Sequence, residues 1–309
     1  MGPDTEGWGY FLCTDKELRP IRSGEILLFT LQDATGQIPA KLLDDIERFR
    51  EEFEAGEFVR VEAHTTIFQG QQQLVVTHIR RVNPQQDRLH GFREEDCVLS
   101  APRSVDEMWA ELTSHLHSVR DPHIRVLLNR IVADHERELR EWPAAQQIHH
   151  AYRAGMLEHI VKMADVAGHL ARAYDANEDL VLAGVILHDI GKLQELTYEP
   201  GGATYSRDGN LIGHIGLGLI MVREATSGIS GFPDDLRAHV EHLIVSHHGS
   251  REHGSPVEPK TVEAFILAAV DELDSKLNQV TRAVQEDVSE TEFTGWHRRL
   301  GRVLFKRRS

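Results

Sequence analysis

Five short segments of this 309-residue chain each carry histidine or aspartate within or beside an apolar helical pattern. They read GMLEHI, LHDIGK, IGHIG, VSHHG and AVDELDSK, and successive segments place these side chains 23 to 33 residues apart. The residues concerned are His159, His188, Asp189, His214, His247, His248 and Asp271. A helical bundle can gather one such cluster from each helix around metal ions in its core. The order and spacing therefore predict a metal site inside a helical domain.

The predicted donors are imidazole and carboxylate groups, which suit Mn, Fe, Zn, Co or Ni; without thiolate, a structural zinc site is disfavoured. His188 and Asp189 are neighbours on one predicted helix, so their side chains diverge by about 100°. Both can serve one site if Asp189 bridges two ions. The first ion would be held by His159, His188, Asp189 and Asp271, and the second by the shared Asp189, His214 and one of His247 and His248. Two ions about 3.5–4 Å apart can activate a bridging hydroxide for phosphoester hydrolysis.

Residues near these ligands allow more than one interpretation. Lys192 lies one turn after His188, where its ammonium could meet a phosphate oxygen; alternatively, it is a solvated lysine of the last turn. Asp274 is expected to support a ligand rather than to be one. The pair His149-His150 is expected to support the ligands or contact substrate, with a surface pair as the alternative. A lone histidine on an apolar helix is more often a core or surface residue, and the other histidines are interpreted that way.

Composition excludes several classes of protein. The net charge of −15 argues against broad electrostatic capture of duplex DNA, although it allows a local basic groove. Cys13 and Cys97 have no close spacing, which predicts neither a disulfide framework nor a zinc knuckle and favours a cytoplasmic protein. No run of about 18 apolar residues occurs, so no membrane-spanning helix is expected. The N-terminal residues do not resemble a secretory signal.

Residues 8 to about 83 are predicted to form a small β-barrel. The segments GEILLFTLQD, TGQIPAKLL, EFVRVEAHTTIF and QQLVVTHIRRV have strand patterns, with turns at Ala34-Thr35-Gly36 and Gln69-Gly70-Gln71. One helix, LDDIERFREEFEAG, is expected between the third and fourth strands and ends at Gly56. Four or five strands with such a helix fit a closed barrel of the OB type, which often binds nucleic acid.

From Val105 the pattern is predicted to be helical to the end of the chain, beginning at a capping box of Ser104 and Glu107. The predicted fold class is α+β and multidomain, with an OB-type barrel followed by an all-α bundle. The expected boundaries are 1–85 for the barrel, 86–103 for a polar linker, 104–285 for the helical domain and 286–309 for a basic tail.

These motifs resemble those of the HD-domain phosphohydrolase superfamily, whose pattern is H…HD…D. The segments IHHAYRAGMLEHIVKMA, LVLAGVILHDIGKLQEL, LIGHIGLG and LIVSHHGSREHGSPVEPKTVEAFILAAVDELDSKL resemble the YhaM-type 3′→5′ exoribonuclease family more closely. LQDATGQIPAKL and the stretch GEFVRV…FQGQQQLVV resemble that family's OB-fold module. The resemblance covers roughly residues 8–285, and the pairing of the two modules is more specific than either alone.

The resemblance implies a metal-dependent nuclease that removes nucleotides from the 3′ end of single-stranded RNA or DNA. Manganese is the expected ion, one or two per chain, and Fe, Co, Ni, Zn and Mg are the alternatives. The implied metal ligands are His159, His188, Asp189, His214, His247 and Asp271, with His248 a further ligand or a phosphate-facing acid. The expected catalytic set is His188, Asp189, Lys192 and His248. On the barrel, Lys41, Arg80 and Arg81 are expected to contact nucleic acid.

Other functions fit parts of the pattern. One alternative is an HD-domain hydrolase of small or cyclic nucleotides with a regulatory barrel, although no GYP sequence follows the histidine pairs. A second is iron-dependent oxygenase chemistry, which metal content and redox spectroscopy would distinguish. A third is a nucleic-acid-binding protein with an inert helical domain, which the intact ligand set disfavours. The sequence leaves open the native metal, the preference for RNA or DNA and the oligomeric state.

Overall fold

Alternating apolar side chains fold the N-terminal part of the chain into five strands that close into a barrel in this computed structural model. The strands are β1 (Glu6–Ile21), β2 (Gly24–Asp33), β3 (Gly36–Leu42), β4 (Phe58–Phe68) and β5 (Gln71–Arg81). Their order around the barrel is β1-β2-β3-β5-β4; β3 and β5 are parallel, and the other neighbours are antiparallel. A small five-stranded barrel of this kind is the OB type. The predicted barrel is therefore confirmed.

The structure describes residues 6–21, 24–68, 71–145, 150, 152–199, 202–287 and 289–306. Within the predicted turn Gln69-Gly70-Gln71, the first two residues lie outside the described residues, as does His149. The chain divides into two units, residues 1–100 with 198–203 and residues 101–197 with 204–309. The first unit contains the barrel, and the second contains most of the helices.

The helix between the third and fourth strands is much shorter than predicted. Instead of continuing to Gly56, α1 spans only Ile46–Phe49. The reason is that β1 takes up the hydrogen-bonding groups of the following residues. The Lys16 ammonium donates to the Arg50 carbonyl at 2.6 Å, and Gly56 N–H donates to the Cys13 carbonyl at 2.7 Å. These tertiary hydrogen bonds replace the i→i−4 bonds that a longer helix would need.

The segment after β5, expected to be an irregular linker, begins around a buried carboxylate. Asp87 closes the short helix α2 (Pro84–Asp87) and is fully buried. Its carboxylate accepts hydrogen bonds from two Arg80 guanidinium nitrogens at 2.7 and 2.8 Å, from Asn83 N–H at 2.8 Å and from the Tyr10 hydroxyl at 3.0 Å. The Arg80 guanidinium in particular holds the pKa of Asp87 well below its usual range, despite burial. The segment is thus anchored to the barrel.

The rest of this segment also packs on the barrel. Phe92, Cys97 and Val98 are buried in one apolar cluster with Leu12 and Val82. Burial of these apolar side chains, which the polar composition of the segment obscured, gives residues 86–98 a fixed position. The division between the two units falls after residue 100.

Helices make up most of the second unit. They are α3 (Val105–Ser118), α4 (Pro122–Asp134), α5 (Glu136–Glu141), α6 (Gly155–Ala173), α7 (Glu178–Leu187), α8 (Lys192–Glu195), α9 (Arg207–Ser227), α10 (Asp234–Ser246) and α11 (Val262–Glu286). The Ser104 hydroxyl caps α3 by accepting a hydrogen bond from Glu107 N–H at 3.5 Å, as predicted. Among the described helices, none combines the length and apolar character needed to cross a membrane.

The central helix α7 ends where the HD motif begins. Its residues from Leu180 onward are apolar, and all except Leu182 are buried. A helix that is apolar on all sides belongs in the core of a domain. Helices α4, α6, α10 and α11 pack around it. His188 is therefore delivered into the interior of the unit.

Two parts of the second half are not helical, contrary to the prediction of helix to the end of the chain. β6 (Leu196–Glu199) and β7 (Gly202–Tyr205) form a two-stranded sheet, in which threonine and tyrosine favour strand over helix. Residues 289–306 contain two isolated bridges, Phe293 with Phe305 and His297 with Arg302. Glycines within this tail disfavour a helix there.

We expect Asp87→Asn to destabilise the barrel unit by about 2–3 kcal/mol at neutral pH, because it leaves the Arg80 guanidinium without its buried counter-charge. The folded-state pKa of Asp87 lies below the unfolded value. The stabilisation is therefore present above the unfolded pKa of about 3.9 and is lost as the pH falls through the folded value. Urea unfolding of both proteins at neutral and acidic pH measures the difference, which should shrink in acid.

Arg81→Ala provides a matched control. Its guanidinium pairs with Glu57 at 2.8 Å, but both side chains are substantially exposed. Loss of such a surface pair should cost less than about 1 kcal/mol. A cost for Asp87→Asn no larger than that of Arg81→Ala would contradict the role assigned to the buried carboxylate.

Candidate metal centre

All seven residues expected to act as ligands converge on one place in the helical unit. Two lie within regular helix, His159 in α6 and Asp271 in α11. The others lie at helix ends or at a kink: His188-Asp189 after α7, His247-His248 after α10 and His214 at a kink of α9. The sequence suggested that His188 and Asp189 are neighbours on one helix. They are instead in the turn that follows α7, which ends at Leu187. The turn lets both side chains point to the same site.

The first ligand cluster consists of His159, His188, Asp189 and Asp271. The His159 Nε2 atom lies 3.3 Å from both His188 Nε2 and Asp271 Oδ1, and His188 Nε2 lies 3.3 Å from Asp189 Oδ2. Donor atoms bound to one ion at about 2.0–2.2 Å are separated by roughly 3.0–3.5 Å. The spacing of this cluster therefore fits a shared divalent ion.

The second ligand cluster consists of Asp189, His214, His247 and His248. The Asp189 Oδ1, His214 Nε2 and His247 Nε2 atoms are buried and have no hydrogen-bond partner among the described residues. Asp189 Oδ1 lies 3.6 Å from His214 Nε2 and 3.8 Å from His247 Nε2. Buried polar atoms are rarely left unpaired. A cation between them would pair all three, so these residues fit a metal ion.

Asp189 belongs to both clusters. Its Oδ2 atom faces His188, and its Oδ1 atom faces His214 and His247. A carboxylate that presents one oxygen to each cluster can bridge two ions, which is the arrangement of two-metal hydrolytic sites. His214, His247 and His248 also form a separate group of donor atoms, all within 4.8 Å of one another.

Each histidine of the two clusters is oriented through its other ring nitrogen. The Nδ1 atoms lie at hydrogen-bond distance from an oxygen acceptor: His159 from Asp274, His188 from the Val185 carbonyl, His214 from Glu195, His247 from the Ile244 carbonyl and His248 from the His253 carbonyl. A carbonyl or ionised carboxylate can only accept, so Nδ1 carries the proton. In the neutral form of each ring, Nε2 is then unprotonated and available to a metal, and the hydrogen bond fixes the ring.

His159 is held by a buried chain of hydrogen bonds. Asp274 Oδ2 accepts from His159 Nδ1 at 2.7 Å and lies 2.9 Å from His150 Nε2. The His150 Nδ1 atom lies 2.9 Å from Glu158 Oε2, to which the Tyr152 hydroxyl also donates at 2.5 Å. Asp274 therefore orients His159, and His150 continues the chain; that Asp274 supports a ligand and is not one itself stays a prediction.

Two glycines permit the close packing around His214. A Cβ atom on Gly191 would lie 2.0 Å from the His214 carbonyl oxygen, so only glycine fits in the turn after Asp189. Gly213 has a φ of 77° and forms the kink in α9, a conformation that favours glycine. The kink leaves His214 N–H free to donate to Glu195 Oε1 at 2.9 Å.

Burial and nearby charges shift the protonation of the ligands in different directions. Burial alone would lower the pKa of His159, but hydrogen bonds to Asp271 and Asp274 outweigh it and raise the pKa to about 9. Burial and the neighbouring His188 lower the pKa of His247 to about 3. Burial opposes ionisation of Asp189, yet Lys192 and His188 keep its pKa well below the usual range. Ionised Asp189 and neutral His247 are the forms that bind metals.

Lys192 and His248 lie at the site in different ways. The Lys192 ammonium is buried and lies 2.5 Å from Asp189 Oδ2. The alternative of a solvated last-turn lysine is therefore wrong. His248 is half-buried, and its ring lies 4.2 Å from that of His247, centre to centre. Whether Lys192 or His248 acts on a phosphate stays a prediction.

The three cations expected to contact nucleic acid are in the barrel unit, and each has an interaction there. Arg80 is bound to the buried Asp87, and Arg81 Nε donates to Glu57 at 2.8 Å. The Lys41 ammonium lies 5.5 Å from the centre of the Phe68 ring. Their contact with nucleic acid stays a prediction.

Sequence reasoning did not identify Glu195, Glu158 or Tyr152. Glu195 orients His214 through two contacts, and burial of Glu158 beside His150 supports the chain that ends on His159. Nothing in the local spacing of these three residues separates them from surface residues. The one available signal is that Glu158 directly precedes His159, in an otherwise apolar stretch.

Comparison with known proteins gave matches for both parts of the chain. The family model described as HD domain matches residues 156–276. The 3′-5′ exoribonuclease YhaM of Bacillus subtilis (strain 168) is 34% identical over 269 residues, which cover 87% of this chain and 83% of that protein. The match confirms the predicted order of a barrel followed by a helical HD domain.

Two solved structures of replication protein A are similar to part of the chain. The second OB-fold domain of the protein from Methanococcus maripaludis has a TM-score of 0.23 at 18% identity, covering 26% of this chain and 87% of that one. A replication protein A heterotrimer bound to ssDNA has a TM-score of 0.22 at 21% identity, covering 28% and 66%. Because these TM-scores are low, the barrel assignment rests on its strand order and closure.

We expect Asp274→Asn to weaken divalent-metal binding by about 10- to 100-fold. The amide lacks the charge of the carboxylate that accepts the hydrogen bond from His159, so it holds the His159 ring less firmly. Isothermal titration of the purified chain with Mn²⁺ measures the affinity directly. Circular dichroism of the same samples would show whether the helices remain intact.

Glu272→Gln is the matched control, because Glu272 lies on the same helix but is exposed and pairs with Lys276. Its metal affinity should equal that of the wild type. Equal affinities for all three proteins would show that Asp274 does not support the metal centre.

Proposed function

The chain belongs to the YhaM family of 3′-5′ exoribonucleases, and on this premise we propose that it removes nucleotides from the 3′ end of single-stranded RNA by metal-dependent hydrolysis. The observation that carries the proposal is Asp189, whose two oxygens face two separate clusters of histidine and aspartate. Such an arrangement suits two divalent ions acting on one phosphodiester. Single-stranded DNA is a further candidate substrate, since the same phosphodiester chemistry applies.

The proposed ligands of the first ion are His159, His188, Asp189 and Asp271; those of the second are Asp189, His214 and His247, with His248 beside them. His247 is preferred over His248 as the ligand because its unpaired Nε2 lies near Asp189 Oδ1. We propose Mn²⁺, for which mixed imidazole and carboxylate donors are suitable; Fe, Co, Ni, Zn and Mg are alternatives. Bound divalent ions would polarise the phosphoryl oxygens and lower the pKa of bound water.

The chain's own residues prepare this chemistry. The Lys192 ammonium compensates the negative charge of Asp189 and so keeps the carboxylate ionised. An ionised carboxylate can serve both clusters. Its ammonium also adds positive charge beside the place where negative charge develops in phosphoryl transfer. His248 donates through Nδ1 to the His253 carbonyl, so Nε2 is the nitrogen left to contact a phosphate or the second ion. The buried surroundings of Asp189 strengthen each of these charge interactions.

The two units would divide the work. We assign nucleic-acid binding to the barrel, expected at residues 1–85, and hydrolysis to the helical domain, expected at residues 104–285. Lys41 and Arg81 stay candidate phosphate contacts, whereas Arg80 is engaged by Asp87. A cytoplasmic location fits the two cysteines, Cys13 and Cys97, because they are free thiols and not joined in a disulfide.

The alternative of a hydrolase for small or cyclic nucleotides is disfavoured by membership of a family of exoribonucleases that shares both modules. Turnover of a single-stranded oligonucleotide, compared with that of a deoxynucleoside triphosphate and a 2′,3′-cyclic nucleotide, separates the two functions. Faster turnover of the small nucleotides would favour the alternative.

We expect His188→Ala and Asp189→Ala to lower nucleotide release by about 10³-fold or more, because each removes several kcal/mol of transition-state stabilisation. The assay follows mononucleotides from a 3′-labelled RNA and shortened products from a 5′-labelled RNA, with Mn²⁺. Mononucleotides appearing first from the 3′ label, together with a 5′-labelled ladder, would indicate 3′→5′ polarity.

His169→Ala is the control, because this histidine lies on α6 with His159 but is exposed. It should degrade RNA at the wild-type rate. Wild-type rates in His188→Ala and Asp189→Ala would reject the proposed active site.

A further inference from the structure

The outer surface of β1, β4 and β5 contains a cavity that is not part of the metal centre. We call it the Trp8 cavity; its volume is about 260 Å³, and its lining residues are Trp8, Arg60, Val61, Glu62, His78 and Arg80. Trp8 pairs across the strands with Glu62, and Glu62 with His78. Arg60 pairs with Arg80 in the next row of the same face. Adjacent strands thus bring aromatic, cationic and anionic groups together.

An exposed aromatic ring and a cation form the main feature of the cavity. Trp8 is 51% exposed, which is unusual for a side chain with so much apolar surface. The Arg60 guanidinium lies 4.5 Å from the centre of its ring. Among the described residues, no carboxylate lies within ion-pair distance of Arg60. A stacked indole and guanidinium form a surface on which a nucleobase can stack beside its phosphate.

The wall of the cavity is fixed before any ligand binds. Arg80 is held by two hydrogen bonds to the fully buried Asp87, and the Tyr10 hydroxyl donates to the same carboxylate at 3.0 Å. The Tyr10 ring in turn packs edge-on against Trp8, with ring centres 5.5 Å apart. Because these side chains are already ordered, binding loses little conformational entropy.

The charges of the cavity set the orientation of a bound nucleotide. Glu62 is exposed, and its carboxylate would repel a phosphate but can accept hydrogen bonds from the amino groups of a base. The phosphate is therefore expected on the side of Arg60. The volume lies below the roughly 300–1,000 Å³ of pockets for drug-sized ligands, so one nucleotide is the appropriate size.

We propose that the Trp8 cavity binds one unpaired nucleotide of a single-stranded nucleic acid, with its base on Trp8 and Arg60, its base edge toward Glu62 and its phosphate near Arg60. The inference rests on the proposed function, because it supplies a contact for the strand that the helical domain hydrolyses. It places this contact on β1, β4 and β5, away from the surface of strands 2 and 3 that OB-type barrels commonly use.

The test measures binding and hydrolysis separately in the full chain. Binding is followed by fluorescence anisotropy of a 5′-fluorescein 20-nucleotide single-stranded RNA, with EDTA present to prevent hydrolysis. Trp8→Ala should raise the Kd by about 5- to 100-fold, the range found for loss of one stacked base. Trp8→Phe, which keeps an aromatic ring, should recover most of the affinity, and Arg60→Ala should weaken binding independently.

Arg19→Ala is the matched control, because Arg19 lies on β1 like Trp8 but is paired with Glu17 at 2.8 Å. Arg19→Ala removes the same positive charge as Arg60→Ala. Its Kd should stay within about twofold of the wild-type value, because exposed ion pairs contribute little. Urea unfolding of every variant checks the fold. Trp8→Phe and Arg60→Ala keep the inference testable if Trp8→Ala does not fold.

A small chromogenic diester, the p-nitrophenyl ester of thymidine 5′-phosphate, reports on the metal centre with Mn²⁺. The cavity variants should hydrolyse it at the wild-type rate. Wild-type RNA affinity in both Trp8→Ala and Arg60→Ala, with RNA still degraded, would overturn the cavity assignment and leave the proposed function intact. A wild-type chain that binds RNA through Trp8 but hydrolyses neither substrate would reject the proposed function and keep the cavity.

Discussion

The structure of the helical unit depends on one buried carboxylate. Asp189 carries a negative charge in the core, and each of its oxygens faces a separate set of histidines. A buried charge is tolerated only when it is compensated, and Lys192 provides part of that compensation at 2.5 Å. Metal ions would provide the rest. The helices therefore carry groups that are costly to bury individually and become favourable only when assembled.

The backbone around Asp189 is adapted to this assembly. The apolar helix α7 stops at Leu187, and the turn that follows is possible because Gly191 allows His214 to approach closely. The kink at Gly213 then frees the His214 amide for Glu195. Geometry that would be unfavourable in a regular helix thus lets two adjacent residues, His188 and Asp189, reach the same site. The turn after α7 and the kink in α9 are thus the features that place these side chains at the site.

The sequence predicted which side chains converge in the helical unit because they are unusual residues in regular patterns; their binding of metal stays a prediction. A histidine inside an apolar helix such as α6 stands out, and so does an aspartate at the end of an apolar run. The length of α1 was not predictable in this way, because Lys16, more than 30 residues away, binds the carbonyl that a longer helix would use. Glu195 was missed for a similar reason, because its partner His214 is on another helix, and local spacing contains no record of the contact. Asp87 was missed because the composition of its segment is polar, which gives no sign that this carboxylate is buried.

The chain of hydrogen bonds behind His159 links occupancy of the metal site to the packing of His150. His150 adopts a positive φ of 47°, and a Cβ atom on Gly155 would lie 2.0 Å from its carbonyl oxygen, so this carbonyl is packed tightly on the start of α6. Through Asp274, the same residue contacts a ligand. A cation that binds only this packed form stabilises the helical unit by about 2.7 kcal/mol at a hundredfold excess over its Kd. The free energy of unfolding of the helical unit would then rise and fall with metal supply.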